Sequence, residues 1–430
     1  MHIQQVTIKN FRCFEELTVN LNPDINIFVG NNGSGKSAVL DAIAAAMFPY
    51  IDQLQSAVNK EYRDVIPIFQ RDLPVRKEVN EVTEFFVTTI IDCPNWRVIY
   101  KKTLSDDDNT NLSMGTLGHI VDTRILEDLL KSEDFEISVY AYYQSNRNLT
   151  NFTHLENLSN QSFDRFDAFK NALNATSNFT DLANWFFTRE LQELREGKKR
   201  KDINFEFSDL KQIRKAISTI IAPNARVYFS QTNSAKLMVE WETATGERIE
   251  LSLNQLSSGY RNMLALVMDF ARRLAQANPQ MENPLEAAAV LMIDELDLHL
   301  HPTWQQKIIP DLRKVFPNTQ IIATTHSPEI VTTVERHQVK ILEDYQIKEC
   351  PSPTRGMKSS DIVRYVLGLD NLRPDTEESR TLTALFEAID NGNLEEAKRL
   401  REKLQEWEKF DPDMTRADMQ IRRLERKITA

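Results

Sequence analysis

Residues 30–37 read Gly30-Asn31-Asn32-Gly33-Ser34-Gly35-Lys36-Ser37, and no other stretch of the chain constrains its fold so tightly. The octapeptide fits GxxxxGK[ST]. It follows an apolar run at 25–29, the pattern of a buried strand, and precedes an Ala- and Leu-rich helix predicted from Ser37 to residue 48. Strand, glycine loop and helix in that order make a phosphate cradle. The glycines let backbone N–H groups close around phosphate oxygens, and the helix N-terminus adds a favourable dipole. The cradle runs from Gly30 through Asn31, Asn32 and Ser34 to Ala38; Lys36 would reach the β- and γ-phosphates, and the Ser37 hydroxyl would bind Mg²⁺. Only 11 of 430 residues are glycine, and this loop takes three of them.

Three further motifs carry chemistry. Val290-Leu291-Met292-Ile293-Asp294-Glu295 is an apolar strand ending in two acids. Asp294 would hold Mg²⁺, directly or through water, and Glu295 would orient or deprotonate an attacking water. Leu256-Ser257-Ser258-Gly259-Tyr260 stands just ahead of a predicted helix, as a second phosphate cradle or as an ordinary N-cap. Thr324-Thr325-His326-Ser327-Pro328 follows the next strand, where His326 would donate to a terminal phosphate or to the attacking water.

Periodicity organises the remainder. Strands are expected at 3–8, 17–21 and 136–143, with a hairpin of 82–91 and 96–104 about Cys93-Pro94-Asn95 and a polar loop at 105–113. Residues 162–221 are helix-rich, with Lys198-Lys199-Arg200-Lys201 at a break, and 227–240 and 248–253 return to strand. From Tyr260 the pattern is a helix to 277, a strand at 288–293, a helix at 304–315 and a strand at 320–324, then helices at 379–389, 394–410 and 415–428. The expected divisions are 1–160 (first lobe with the glycine loop and a β subdomain), 161–255 (a helical and strand insertion), 256–350 (signature, acidic strand and His326), and 351–430 (a helical region).

Composition narrows the class. The net charge is −11 and the pI about 5.3, which argues against a surface that coats nucleic acid throughout. Cys13, Cys93 and Cys350 lie far apart, with neither disulfide frame nor zinc spacing. No secretory pattern opens the chain and no window is apolar enough for a membrane span, so a cytoplasmic protein without membrane attachment is expected.

The four motifs occur in the order of ABC-type ATPases. Together with Ile8-Lys9-Asn10-Phe11-Arg12-Cys13-Phe14 at the start, DELDLHLHP from Asp294 and TTHSP from Thr324, they make the chain resemble the SMC/RecF/OLD group, over roughly residues 1–345. The resemblance implies an α/β fold: an ABC-type P-loop ATPase with a mixed sheet, an antiparallel β subdomain, a helical insertion and a C-terminal helical tail. It implies ATP and Mg²⁺ as cofactors, with Lys36, Glu295 and His326 in catalysis and Arg12 and the P-loop on the nucleotide. Ser257, Ser258 and Gly259 of a second copy would complete the site across a dimer interface. Gln144 is either the Mg²⁺ ligand of the Q-loop or a strand cap, and Arg147 meets phosphate or a neighbouring carboxylate. Ser258 and Tyr260 depart from the signature LSGGQ, and His301 stands where an Asp is expected. These departures point to slow hydrolysis, with ATP acting more as a clamp than as fuel.

Long-armed members of the group place a coiled coil between P-loop and signature; residues 38–255 hold no sustained heptads, so no arms are expected. The segment after Asp344 reads as helices, and Asp411-Pro412-Asp413, formally DxD, lies where Pro starts a helix, so no nuclease is expected within the chain. Leu394, Ala397, Leu400, Leu404 and Trp407 form an apolar stripe that needs cover, from the ATPase domain or from a partner. The arrangement resembles compact anti-phage ATPases of the Septu PtuA and PARIS types, which hold a separately encoded nuclease or toxin. That resemblance implies a dimer-based or higher homo-oligomer that regulates an effector such as an HNH nuclease. The alternative is a RecF-like repair ATPase that binds DNA through a groove including Lys198 to Lys201, unless those residues are a solvated helix end. A transporter motor fits poorly.

Overall fold

The chain opens with strands Ile3–Phe11 (β1) and Phe14–Asn20 (β2), antiparallel about a turn in which Arg12 takes a positive φ. The computed structural model describes residues 2–57, 86–91, 97–99, 135–145, 163–177, 179–222, 224–230, 236–243, 245–369 and 371–429. Cys93-Pro94-Asn95, the 105–113 loop and Arg147 lie outside them.

Ile25–Val29 (β3) is buried at every position and runs through the glycine loop into the helix Lys36–Ala57 (α1). The helix outruns its predicted end and passes Pro49. Ile51 and Leu54 continue the apolar stripe of Met47 into the core, and that burial outweighs the backbone bond that proline removes. Phe86–Ile91 (β4) and Arg97–Ile99 (β5) pair as the expected hairpin and join an antiparallel sheet ordered β2-β1-β4-β5.

Val139–Tyr143 (β6) precedes a helical region with Phe179–Arg200 (α2) and Ser208–Ile220 (α3), then an antiparallel meander of Arg226–Phe229 (β7), Leu237–Glu242 (β8) and Arg248–Ser252 (β9). There follow Ser258–Ala277 (α4), Ala289–Ile293 (β10), Pro302–Gln305 (α5), Ile308–Val315 (α6), Thr319–Thr324 (β11) and Pro328–Val331 (α7). Val339–Glu343 (β12), Gln346–Glu349 (β13) and Ser359–Tyr365 (α8) complete this unit, which spans residues 1–367. The central sheet is ordered β13-β12-β3-β11-β10-β6, parallel except at β13. Strands β3, β6, β10 and β11 are buried throughout, as parallel strands covered on both faces must be.

Other elements also differ from the sequence expectation. The helix predicted at 394–410 ends at Lys403, with only a 3₁₀ turn at Gln405–Trp407 beyond it. The helix predicted at 304–315 is two helices, because Pro310 lacks an N–H and its ring would meet the Gln306 carbonyl of a continuous helix. The β12–β13 hairpin has no sequence counterpart. Its loop residues Asp344 (φ 50°) and Tyr345 (φ 59°) adopt the doubly left-handed turn usually marked by Asn-Gly.

Residues 368–430 form a second unit. Glu377–Asp390 (α9), Leu394–Lys403 (α10) and Pro412–Thr429 (α11) enclose Leu382, Leu385, Ala397, Leu400, Leu404, Met414, Ala417 and Ile421. The apolar stripe of α10 is therefore covered inside its own unit. The Asp411 and Asp413 carboxylates take the Arg373 guanidinium at 2.7–3.0 Å, a structural clamp. Among the described residues no helix is long and apolar enough to cross a membrane.

Candidate nucleotide site

Strands β3, β11, β10 and β6 end side by side, with Phe28 opposite Thr324, Ala323 opposite Ile293, and Ile293 opposite Tyr143. The segments that follow them are the glycine loop, His326, the Asp294–Glu295 pair and Gln144. They share the carboxyl edge of the sheet, where open α/β sheets bind ligands. Gly30 (φ 151°) and Gly35 (φ 100°) are irreplaceable for reasons of space as well as backbone. A Cβ on Gly30 would stand 2.2 Å from the Leu342 carbonyl of β12, and one on Gly35 would stand 2.6 Å from the Phe14 ring. The unforeseen hairpin thus walls the loop. Gly30→Ala is expected to lower the thermal midpoint by several degrees; an unchanged midpoint would remove Leu342 from that wall.

Lys36 is buried, and its ammonium donates to the Gly30 and Asn31 carbonyls at 2.9 and 2.8 Å. Burial lowers its pKa, while the carboxylates of Asp294, Glu295 and Asp297 pull it back up. The Ser37 hydroxyl lies 3.0 and 2.9 Å from the two Asp294 oxygens, joining loop to acidic strand. Thr324 ties the pair together: its hydroxyl donates to Asp294 at 2.6 Å and accepts the Glu295 N–H at 2.7 Å. That bond holds Glu295 at φ 51°, turned off the strand.

Asp297 accepts from the Thr325 hydroxyl at 2.5 Å and from the His326 N–H at 3.2 Å, so the exposed His326 ring projects from an anchored turn. Gln305 reinforces the turn by donating to the Leu300 carbonyl and accepting from Ser327, each at 2.8 Å. His301, at the place of the expected Asp, N-caps α5 by accepting the Thr303 N–H. Gln144 follows Tyr143, whose carbonyl accepts the Asp294 N–H at 2.9 Å. Arg12 pairs at 2.5 Å with Asp41 of α1, which also accepts from Tyr142 at 2.8 Å. Burial raises the Asp41 carboxyl pKa, and the Arg12 guanidinium and Tyr142 hydroxyl draw it down.

The signature stands apart. Ser257 caps α4 through the Tyr260 N–H, Ser257 and Ser258 are exposed, and among the described residues no hydrogen bond joins either to the P-loop. A Cβ on Gly259 would lie 2.3 Å from the His299 carbonyl. The Tyr260 ring packs between Trp304, 4.3 Å away, and Trp241, 6.4 Å away and nearly parallel. Deeper in α4, Asp269 binds Arg272, Arg273 and the Tyr143 hydroxyl, with contacts of 2.7–2.8 Å. Basic Lys199 and Arg200, at the end of α2, pair with Glu196, and Arg200 covers Phe205.

Sequence reading missed Thr324, Asp297, Gln305 and Asp41. The TTHSP and DELDLHLHP runs contain the first two, but only tertiary pairing shows which residues hold and which act.

The cradle fits Mg²⁺ and a polyphosphate. Ser37 and Asp294 are hard oxygen donors of the kind Mg²⁺ takes. The Ser34 hydroxyl is buried in the loop without a partner, and a phosphate oxygen would supply one.

A glycine loop, an acidic strand end and an anchored histidine on one parallel sheet define the core of a P-loop ATPase. A family model described as "AAA domain, putative AbiEii toxin, Type IV TA system" matches residues 25–332, and the chain belongs to that family; a second, "AAA ATPase domain", matches 1–48. The chain is similar to the Retron Vc95 probable ATPase of Vibrio cholerae serotype O1 biovar El Tor, 26% identical over 94% of this chain and 86% of that protein. It is 23% identical to the Septu protein PtuA of Bacillus thuringiensis, over 86% of this chain and 85% of PtuA. An SMC head bound to the C-winged helix domain of ScpA aligns with 81% of this chain and 97% of that one, at 14% identity and a TM-score of 0.44.

Proposed function

We propose that this chain binds ATP with Mg²⁺, hydrolyses it, and self-associates so that each P-loop faces the signature of a second copy. Its nucleotide state then gates a separately encoded effector nuclease in anti-phage defence. The observation that supports this best is the Ser37–Asp294–Thr324–Glu295 chain of hydrogen bonds, which brings both halves of a hydrolytic centre to one sheet edge. Bound Mg²⁺ supplies charge neutralisation at the phosphates. Lys36 and the loop N–H groups hold the phosphates, Ser37, Asp294 and Gln144 present oxygens to the ion, and Glu295 takes the proton of the attacking water. His326 donates at the terminal phosphate, while Ser257, Ser258 and Gly259 close the site from the partner copy. The defence setting rests on likeness to the retron ATPase and PtuA.

The test is the native mass of the complex purified with its genomic neighbours, with and without ATP. Lys36→Ala by itself, with no intact P-loop in either copy, is expected to lose ATP-dependent self-association and biological activity; retention of both would remove nucleotide control. Copurification of an HNH protein supports the effector, whereas salt-sensitive DNA binding by the chain alone, without a partner, would favour the repair reading.

A further inference from the structure

Arg261 lies one helical turn beyond Ser257, to whose carbonyl its N–H donates at 2.9 Å. Positions four apart share a helix face, and helical side chains lean towards the N-terminus, so the Arg261 side chain covers the signature turn. The two residues before it are committed elsewhere: Gly259 abuts the His299 carbonyl, and Tyr260 packs on Trp304 and Trp241. Arg261 is half-buried, its Nε is buried with no hydrogen-bond partner, and no carboxylate among the described residues pairs with it. The other arginines of α4 differ sharply, since Arg272 and Arg273 both bind Asp269. A guanidinium is charged at every physiological pH, and its fork matches phosphate oxygens.

We propose that Arg261 is a catalytic residue acting in trans, its guanidinium on the terminal phosphate of the nucleotide held by the partner copy's P-loop. This rests on the composite-site reading above. In the step it assists, the water oxygen bonds to the γ-phosphorus and the bond from phosphorus to the β,γ-bridging oxygen breaks. The water proton passes to Glu295, and ADP and phosphate leave. Arg261 stabilises the charge that grows on the bridging and terminal oxygens.

The test mixes variants of the full chain and measures phosphate release. Arg261→Ala and Lys36→Ala, each alone, are expected to turn over ATP about 10²-fold or more slowly than wild type. Arg261→Lys, which keeps the charge without the fork, falls between. In a mixed dimer of Lys36→Ala with Arg261→Ala, one site carries both lesions and the other is whole. Equal mixing therefore restores about a quarter of wild-type turnover in a two-fold dimer. If Arg261 served its own chain's nucleotide, both sites would stay broken and mixing would restore nothing, which overturns the proposal. Wild-type turnover of Arg261→Ala overturns it as well. Should Arg261→Ala fail to fold, Arg261→Lys takes its place in the same mixture. Ser257→Ala mixed with Lys36→Ala separates the two failures: if that pair complements and the Arg261 pair does not, only the arginine's role falls. If neither complements, the composite site falls with it.

Discussion

Glu295→Gln is expected to slow ATP turnover by about 10²–10⁴-fold while leaving nucleotide binding intact. Glutamine keeps the side chain's size but accepts no proton, and the backbone N–H that Thr324 holds is unaltered. Ser37, Asp294 and Lys36 keep their contacts, so the cradle for phosphate and Mg²⁺ survives. The variant should accumulate in the ATP-bound, self-associated state. Steady-state phosphate release, set beside a nucleotide-binding titration, checks both halves. Turnover within roughly tenfold of wild type would remove Glu295 as the base, and lost binding would make it structural. If Glu295→Gln also left biological activity intact, hydrolysis would not be the controlling step.

Asp269→Asn is expected to destabilise the 1–367 unit by about 3–5 kcal/mol, because it strands two buried guanidiniums. Burial alone would raise this carboxyl's pKa; Arg273 and Arg272 outweigh it and hold it at about 2. The sign follows. A carboxylate with a depressed folded-state pKa stabilises above its unfolded value, near 3.8, and loses that contribution as the pH falls towards about 2. Wild type should thus lose stability between about pH 4 and 2 in a component that Asp269→Asn lacks. Denaturant unfolding at neutral and acid pH measures it, and a variant within about 1 kcal/mol of wild type at pH 7 would refute the buried network's role. Tyr143 shares the network and precedes Gln144, so weaker Mg²⁺-dependent nucleotide binding should accompany the loss.

Much of the fold was legible because its strands are short apolar runs ending in recognisable chemistry. Ile25–Val29 and Ala289–Ile293 are buried on both faces, and each ends where its motif begins. The α/β class follows from such runs alternating with helices, and the antiparallel β subdomain from the alternation along β1 and β2 and the β4–β5 hairpin. The β12–β13 hairpin escaped because Asp344 and Tyr345 adopt a turn that neither residue advertises, and the extension of α1 because Pro49 is a local stop that tertiary burial overrides. At the site, residues that touch phosphate or water sit in motifs, whereas those that aim them do not. Asp297 holds the His326 turn and Thr324 the Glu295 backbone through contacts made across strands, which no spacing along the chain encodes. The stripe on α10 was legible as apolar; what covers it was not, since α9 and α11 close over it locally.

The position of β3 in its sheet has a consequence for synthesis. β3 ends at Val29, yet its two neighbours, β11 and β12, begin at Thr319 and Val339. The P-loop therefore leaves the ribosome about 300 residues before the strands that flank it, an interval of roughly 15–60 s at usual elongation rates. Until β12 arrives, Gly30 has no Leu342 carbonyl against it; until β10 arrives, Ser37 has no Asp294. A nascent chain cannot assemble the cradle early, so nucleotide meets only the nearly finished protein.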